Sequence, residues 1–147
     1  MEVNNIIINP KVIDKLICEI NEDLPFNLNK ALKEIKKNYN IKNDLEFTLK
    51  LAEQIKCCLK LIKRSDYLYT ANSFKLGILK FRSDDASQNK GKSSGYRIIG
   101  LIDEINSIFI LFYIYKHSEG IDNINKKDLQ KLKEICDKYS LKFLNAK

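Results

Sequence analysis

Apolar positions recur at helical spacing through the first half of the chain and at strand spacing through most of the second. Residues 3 to 9 form a short β-branched run closed by Asn9-Pro10, which predicts a first strand with a proline opening the helix behind it. In that helix Ile13, Leu16, Ile17 and Ile20 fall on one face. A second helix is predicted over 27 to 39, where Leu28, Leu32, Ile35 and Tyr39 repeat at helical spacing and Lys30, Lys33, Lys36 and Lys37 occupy the remainder. Asp44 is the predicted cap of a third, longer helix, with Leu45, Leu49, Ala52, Ile55, Leu59 and Ile62 as its apolar stripe.

From Phe74 the period changes. Residues 74 to 83, 96 to 102 and 108 to 117 read as three strands, the last two joined by the short turn Asp103-Glu104-Ile105-Asn106, which predicts antiparallel neighbours. The nearly unbroken run Ile108-Phe109-Ile110-Leu111-Phe112 predicts a central strand covered on both faces. Asn125 is placed to cap a last helix with the stripe Leu129, Leu132, Ile135 and Tyr139. The expected fold class is α+β: N-terminal helices packed on a mainly antiparallel sheet, with a C-terminal helix. One domain is expected over 1–147, with a strand and helical region at 1–73 and a basic β-sheet plus C-terminal helix at 74–147.

Charge adds direction to this picture. The net charge is +7, and residues 74 to 147 hold 14 Lys/Arg against 9 Asp/Glu, so they carry +5 of it. A polyanionic or acidic partner is expected on that half. The longest apolar run, 108 to 115, is too short to span a bilayer, and no cationic segment precedes an apolar stretch at Met1-Glu2-Val3-Asn4-Asn5. A cytoplasmic protein without membrane contact is the expectation. Cys18, Cys57, Cys58 and Cys136 form no CxxC pair and lie far in sequence from the lone His117, so they read as buried reduced thiols, with no metal site.

The chemistry concentrates in Lys90-Gly91-Lys92-Ser93-Ser94-Gly95-Tyr96-Arg97, a polar loop running onto a strand. Gly91 and Gly95 allow close approach to a phosphate backbone, and Ser93 and Ser94 add donors. The GxxxxGK[ST] pattern of a P-loop is absent. The preceding strand offers Lys80 and Arg82 on one face, and the final strand ends at Lys116-His117. With Asp84 and Asp85 the only acids between Phe74 and Tyr96, the site lacks the convergent carboxylates of two-metal phosphoryl chemistry.

RNA offers a route without metal or other cofactor. A base removes the proton of a ribose 2′-OH, the oxygen attacks the adjacent phosphorus, cations stabilise the extra charge, and an acid protonates the leaving oxygen. Arg97 suits phosphate binding because its fork takes two oxygens, while Lys90 and Lys92 supply potential or proton transfer. His117 has the unperturbed pKa closest to neutrality. Blander roles stand beside these: a solvated connection for the loop, a core aromatic or a base-stacking surface for Tyr96, and a solvent face for Lys80 and Arg82.

The arrangement Leu79-Lys80-Phe81-Arg82, then Lys90 to Ile99, then an apolar strand closing in Tyr113-Ile114-Tyr115-Lys116-His117-Ser118-Glu119, resembles the RelE/HigB group of bacterial toxins within the RelE/ParE superfamily. The resemblance covers residues 74 to 139. It implies a toxin of a toxin-antitoxin system that inhibits translation as a ribosome-dependent, metal-independent mRNA endonuclease, with the cognate antitoxin, the ribosome and mRNA in the ribosomal A site as partners. By position, Lys90, Lys92 and Arg97 match the family's phosphate-binding and activating residues, and Lys116 and His117 match a further basic group more loosely. Some members use a C-terminal tyrosine; residues 120 to 125 have none, leaving Tyr139 or Tyr96 in that role. The related ParE branch inhibits DNA gyrase instead, and a non-catalytic RNA-binding module is the third reading of the same basic residues.

Overall fold

A computed structural model describes residues 3–8, 24–71, 75–83, 95–116 and 124–144. Within them lie five strands, β1 (Asn5–Ile7), β2 (Tyr67–Ala71), β3 (Leu76–Ser83), β4 (Tyr96–Asp103) and β5 (Ile108–Lys116), and three helices, α1 (Leu28–Asn38), α2 (Asp44–Leu59) and α3 (Lys126–Tyr139). The strands form one mixed sheet in the order β1-β5-β4-β3-β2, with β1 parallel to β5 and every other pair antiparallel. The chain is therefore α+β, with a C-terminal helix. The helix predicted behind Pro10 and the thiol of Cys18 lie outside the described residues.

Each described helix begins where a side chain satisfies an otherwise orphaned backbone N–H. Asn27 accepts from Lys30 N, Asn43 from Glu46 N and Asn125 from Asp128 N, each cap contributing roughly 1 kcal/mol. Asn43, not Asp44, is the cap of α2.

The helices cover opposite faces of the sheet. On one face α1 and α2 set Leu28, Ala31, Ile35, Phe47, Leu51, Ile55 and Leu59 against Leu79, Phe81, Tyr96, Ile98, Ile102, Phe109 and Ile114. On the other, α3 sets Leu132, Ile135, Cys136 and Tyr139 against Leu76, Ile78, Leu101, Ile110 and Phe112. Two-sided cover explains why β4 is buried along its whole length, and β5 is covered on both faces as its unbroken apolar run predicts.

The buried stripe of α2 departs from expectation. Phe47, Leu51, Ile55 and Leu59 face the sheet, whereas Leu45 and Leu49 are 68% and 62% exposed. Both sets have helical spacing, and Ile55 and Leu59 extend either one, so periodicity alone does not choose between them. β2 is a further strand that the pattern does not predict: its Tyr67, Leu68 and Tyr69 carry a bulge against β3 and show no polar alternation.

A second irregularity bears directly on the site. Ile99 pairs with Tyr113 but Gly100 pairs with Leu111, so Phe112 is an extra residue in β5. Ile108, Ile110 and Phe112 face α3; past the bulge Tyr113 and Tyr115 take that face, and Ile114 turns to the α1/α2 side. Gly100 sits at this point because a Cβ there would collide with the Phe109 ring and the Ile110 carbonyl oxygen.

Candidate nucleic-acid interface

Lys80, Arg82 and Arg97 come together. Arg82 and Arg97 are direct cross-strand partners on β3 and β4, and Lys80 lies two residues back on the same face of β3. These positions alternate with Leu79, Phe81, Tyr96 and Ile98, which enter the α1/α2 core, so the basic row belongs to the face carrying α3. Arg97 is only 6% exposed, held between Arg82 and Tyr115 in the sheet, while Arg82 is exposed.

The row opens onto a cleft of about 640 Å³ at the margin of the sheet. Described pairing between β2 and β3 starts at Tyr67 and Leu79 and leaves Lys80 to Ser83 beyond it. The end of α2 and the turn at Arg64–Asp66 form the opposite wall, contributing Cys58, Leu61, Ile62, Lys63, Ser65 and Asp66. Among the described residues the cleft thus gathers Lys63, Lys80, Arg82 and Arg97 with one carboxylate, Asp66. Asp66 is itself engaged, its Oδ2 accepting from Lys63 N at 2.8 Å. Lys63 escaped the sequence reading; the signal for it is the basic cluster Lys60, Lys63 and Arg64 directly after an apolar helix.

Two arginines rooted one strand apart, ~5 Å between backbones, are close enough for their guanidinium forks to address the same stretch of phosphodiester backbone. Such a cleft is suited to hold a phosphate backbone and to oppose negative charge accumulating on its non-bridging oxygens.

Other predicted site residues fall elsewhere. Tyr96 is fully buried on the α1/α2 face, its ring 6.4 Å from that of Tyr39 and its hydroxyl accepting from Asn38 Nδ2 at 3.5 Å. Of the two roles open to it, the core role is the one found, and a base-stacking role is corrected. Lys116 pairs with Tyr96 while Arg97 pairs with Tyr115, so Lys116 stands on the opposite face and does not converge with the arginines. The β5 bulge is the cause: without it the even-numbered residues of β5 would continue on Arg97's face. Lys90, Lys92, Ser93, Ser94 and His117 lie outside the described residues. The β3–β4 link that carries the lysines and serines leaves from Ser83 and returns to Tyr96, which are register partners next to the Arg82–Arg97 pair.

Tyr139 is also a core residue. Its hydroxyl donates to Asp103 Oδ2 at 2.6 Å, six residues and ~20 Å along β4 from Arg97. Burial, then the Asp103 contact, push the Tyr139 phenol far above its ordinary value. Burial and the charge of Asp137 push the neighbouring Cys136 thiol up to about 12. Cys136 matches the expected buried thiol; Cys58 is half-buried at the cleft and Cys57 is exposed, so the expectation fails there. Among the described residues no three His, Cys, Asp or Glu side chains could together hold a metal ion, and no helix is long and apolar enough to cross a membrane.

The fold and site define an α+β protein with a mixed sheet, five-stranded among the described residues, and a basic cleft at the β3 margin of that sheet, beside the end of α2. The chain matches no protein-family model, no curated protein and no solved structure.

Proposed function

We propose that the protein is a toxin-type endoribonuclease of the RelE/HigB kind, cutting mRNA in the ribosomal A site and held in check by a cognate antitoxin. The observation that carries the reading is the cross-strand Arg82–Arg97 pair beside Lys80 in a cleft where Asp66 is the one carboxylate among the described lining residues. That balance suits phosphate binding by side chains.

In the proposed reaction the ribose 2′-oxygen, losing its proton to a base, bonds to phosphorus. The bond to the 5′-oxygen breaks, and that oxygen takes a proton from an acid. A 2′,3′-cyclic phosphate and a 5′-hydroxyl result. Arg97, rooted mid-sheet, binds the non-bridging oxygens as charge accumulates on them, and Arg82, Lys80 and Lys63 draw in the flanking backbone. Proton transfer falls to Lys90, Lys92 or His117, and Ser93 and Ser94 add phosphate donors.

The test is to incubate purified protein with translating ribosomes and map mRNA ends. Wild type should yield discrete cuts, and Arg97→Ala should cut at least about 100-fold more slowly while keeping its fold by circular dichroism and its ribosome binding. Intact mRNA with stalled gyrase would replace this reading by a ParE-like one. Intact mRNA with salt-dependent RNA binding would leave a non-catalytic binding module.

A further inference from the structure

Helix α2 carries two apolar faces, and the sheet uses only one. Leu45 and Leu49, one turn apart, point outward at 68% and 62% exposure, and the half-buried Ala52 continues their ridge. A helix in contact with a core on one side alone ordinarily shows a polar opposite face. Beside the ridge runs a groove of about 330 Å³ between α1 and α2, whose lining includes Leu32 and Phe47 at its floor and Lys33, Lys36 and Asp44 at its rim.

Charge around the ridge selects among occupants. Lys33 and Lys36 border it on the α1 side, with Lys37 next in sequence, and Lys56 and Lys60 follow Leu49 and Ala52 along α2. Asp44 at that border is paired with Lys36, and Glu46 and Glu53 lie on the flank away from α1. A second copy of the chain would bring the same lysines against these. An amphipathic helix with carboxylates along one edge would bury the leucines and place its charges against Lys33, Lys56 and Lys60.

We propose that the Leu45–Leu49 ridge and the adjoining groove are a docking site for an acidic amphipathic helix of a partner protein. The site lies on the outward side of α2, away from the face that meets β3, and does not depend on the nuclease reading. The leucines supply the apolar anchor, and the lysine border fixes the direction and flank of the incoming helix.

The probe is a synthetic helical peptide of about five turns with a leucine seam and glutamates on one flank, compared by calorimetry with its counterpart bearing lysines there. The glutamate peptide should bind, the lysine peptide roughly tenfold or more weakly, and Leu45→Glu, Leu49→Glu or Lys33→Glu should each weaken the first by a similar factor. Because all three positions are at the surface, unchanged helical circular dichroism should accompany the loss. Wild type should sediment as a monomer. Absence of binding by either peptide, equal binding of both, or a wild-type dimer that Leu45→Glu dissolves would each overturn the proposal, the last by making a second copy the occupant.

Discussion

The two ends of β4 handle buried charge in opposite ways. At Asp103 the carboxylate is fully buried and receives three donors: the Tyr139 hydroxyl at 2.6 Å, Asn106 N at 3.1 Å and Asn106 Nδ2 at 2.8 Å. These bonds fasten α3 and the β4–β5 turn to the sheet. In that turn Ser107 takes a left-handed φ of 58°, and its carbonyl accepts from both Asn4 and Asn5, anchoring β1. At the other end Arg97 faces a second arginine across the strands beside a cleft. One end places its carboxylate in internal hydrogen bonds and holds the fold; the other sets basic side chains side by side at the edge of a cleft. If the proposed function holds, stability and recognition are separable along a single strand.

The comparison yields graded predictions. The largest effect is expected from Asp103→Ala, which leaves the buried Tyr139 hydroxyl without its acceptor and breaks both bonds that tie the exposed Asn106 of the β4–β5 turn to the sheet. A loss of about 3 to 4 kcal/mol in urea unfolding is expected, with RNA affinity of the folded protein unchanged. A shift in RNA binding instead would mean that the two ends are coupled.

Alkaline pH should act on the same end. Cys136 and Tyr139 are both neutral in the fold with raised pKa values, so the native state holds protons that the unfolded chain releases first. Their contribution is complete below the ordinary thiol value of about 9 and declines as pH rises toward the folded values. Unfolding free energy should therefore fall between pH 9 and 12 by a few kcal/mol. Cys136→Ala should flatten part of that slope; an unchanged slope would remove Cys136 as a cause.

Tyr139→Phe is milder, because Asp103 keeps both Asn106 donors. About 1.5 to 2 kcal/mol is expected, read as a lowered urea midpoint without a change in slope. Smallest in stability is Arg82→Ala at the opposite end, within about 0.5 kcal/mol of wild type. The same variant should weaken single-stranded RNA binding and reduce its salt slope by about 0.7. A substantial loss of stability there would show Arg82 to be structural, and the contrast between the two ends would fail.

Much of the fold was legible locally. The Asn125 cap, the extent of α3, the antiparallel β4–β5 pair and the two-sided cover of β5 follow from side-chain hydrogen bonding and apolar runs, which neighbouring residues control. So does the shared face of Lys80 and Arg82, since alternation is a property of one strand. The β2 strand was not legible, because five residues with a bulge and no polar alternation give no period to read.

What the sequence by itself determined is the three described helices, four of the five described strands, the Asn125 cap and the basic excess around β3 and β4. Which residues meet was left to the tertiary structure. Docking on the sheet chose Phe47 and Leu51 over Leu45 and Leu49 as the buried stripe of α2, because two helical stripes with shared members are equal until a surface selects one. The extra residue Phe112 reversed the alternation of β5, bringing Tyr115 beside Arg97 and sending Lys116 to the other face. A period of two makes every side chain beyond a bulge depend on that single residue, and strand pairing, not local preference, fixes where the bulge falls.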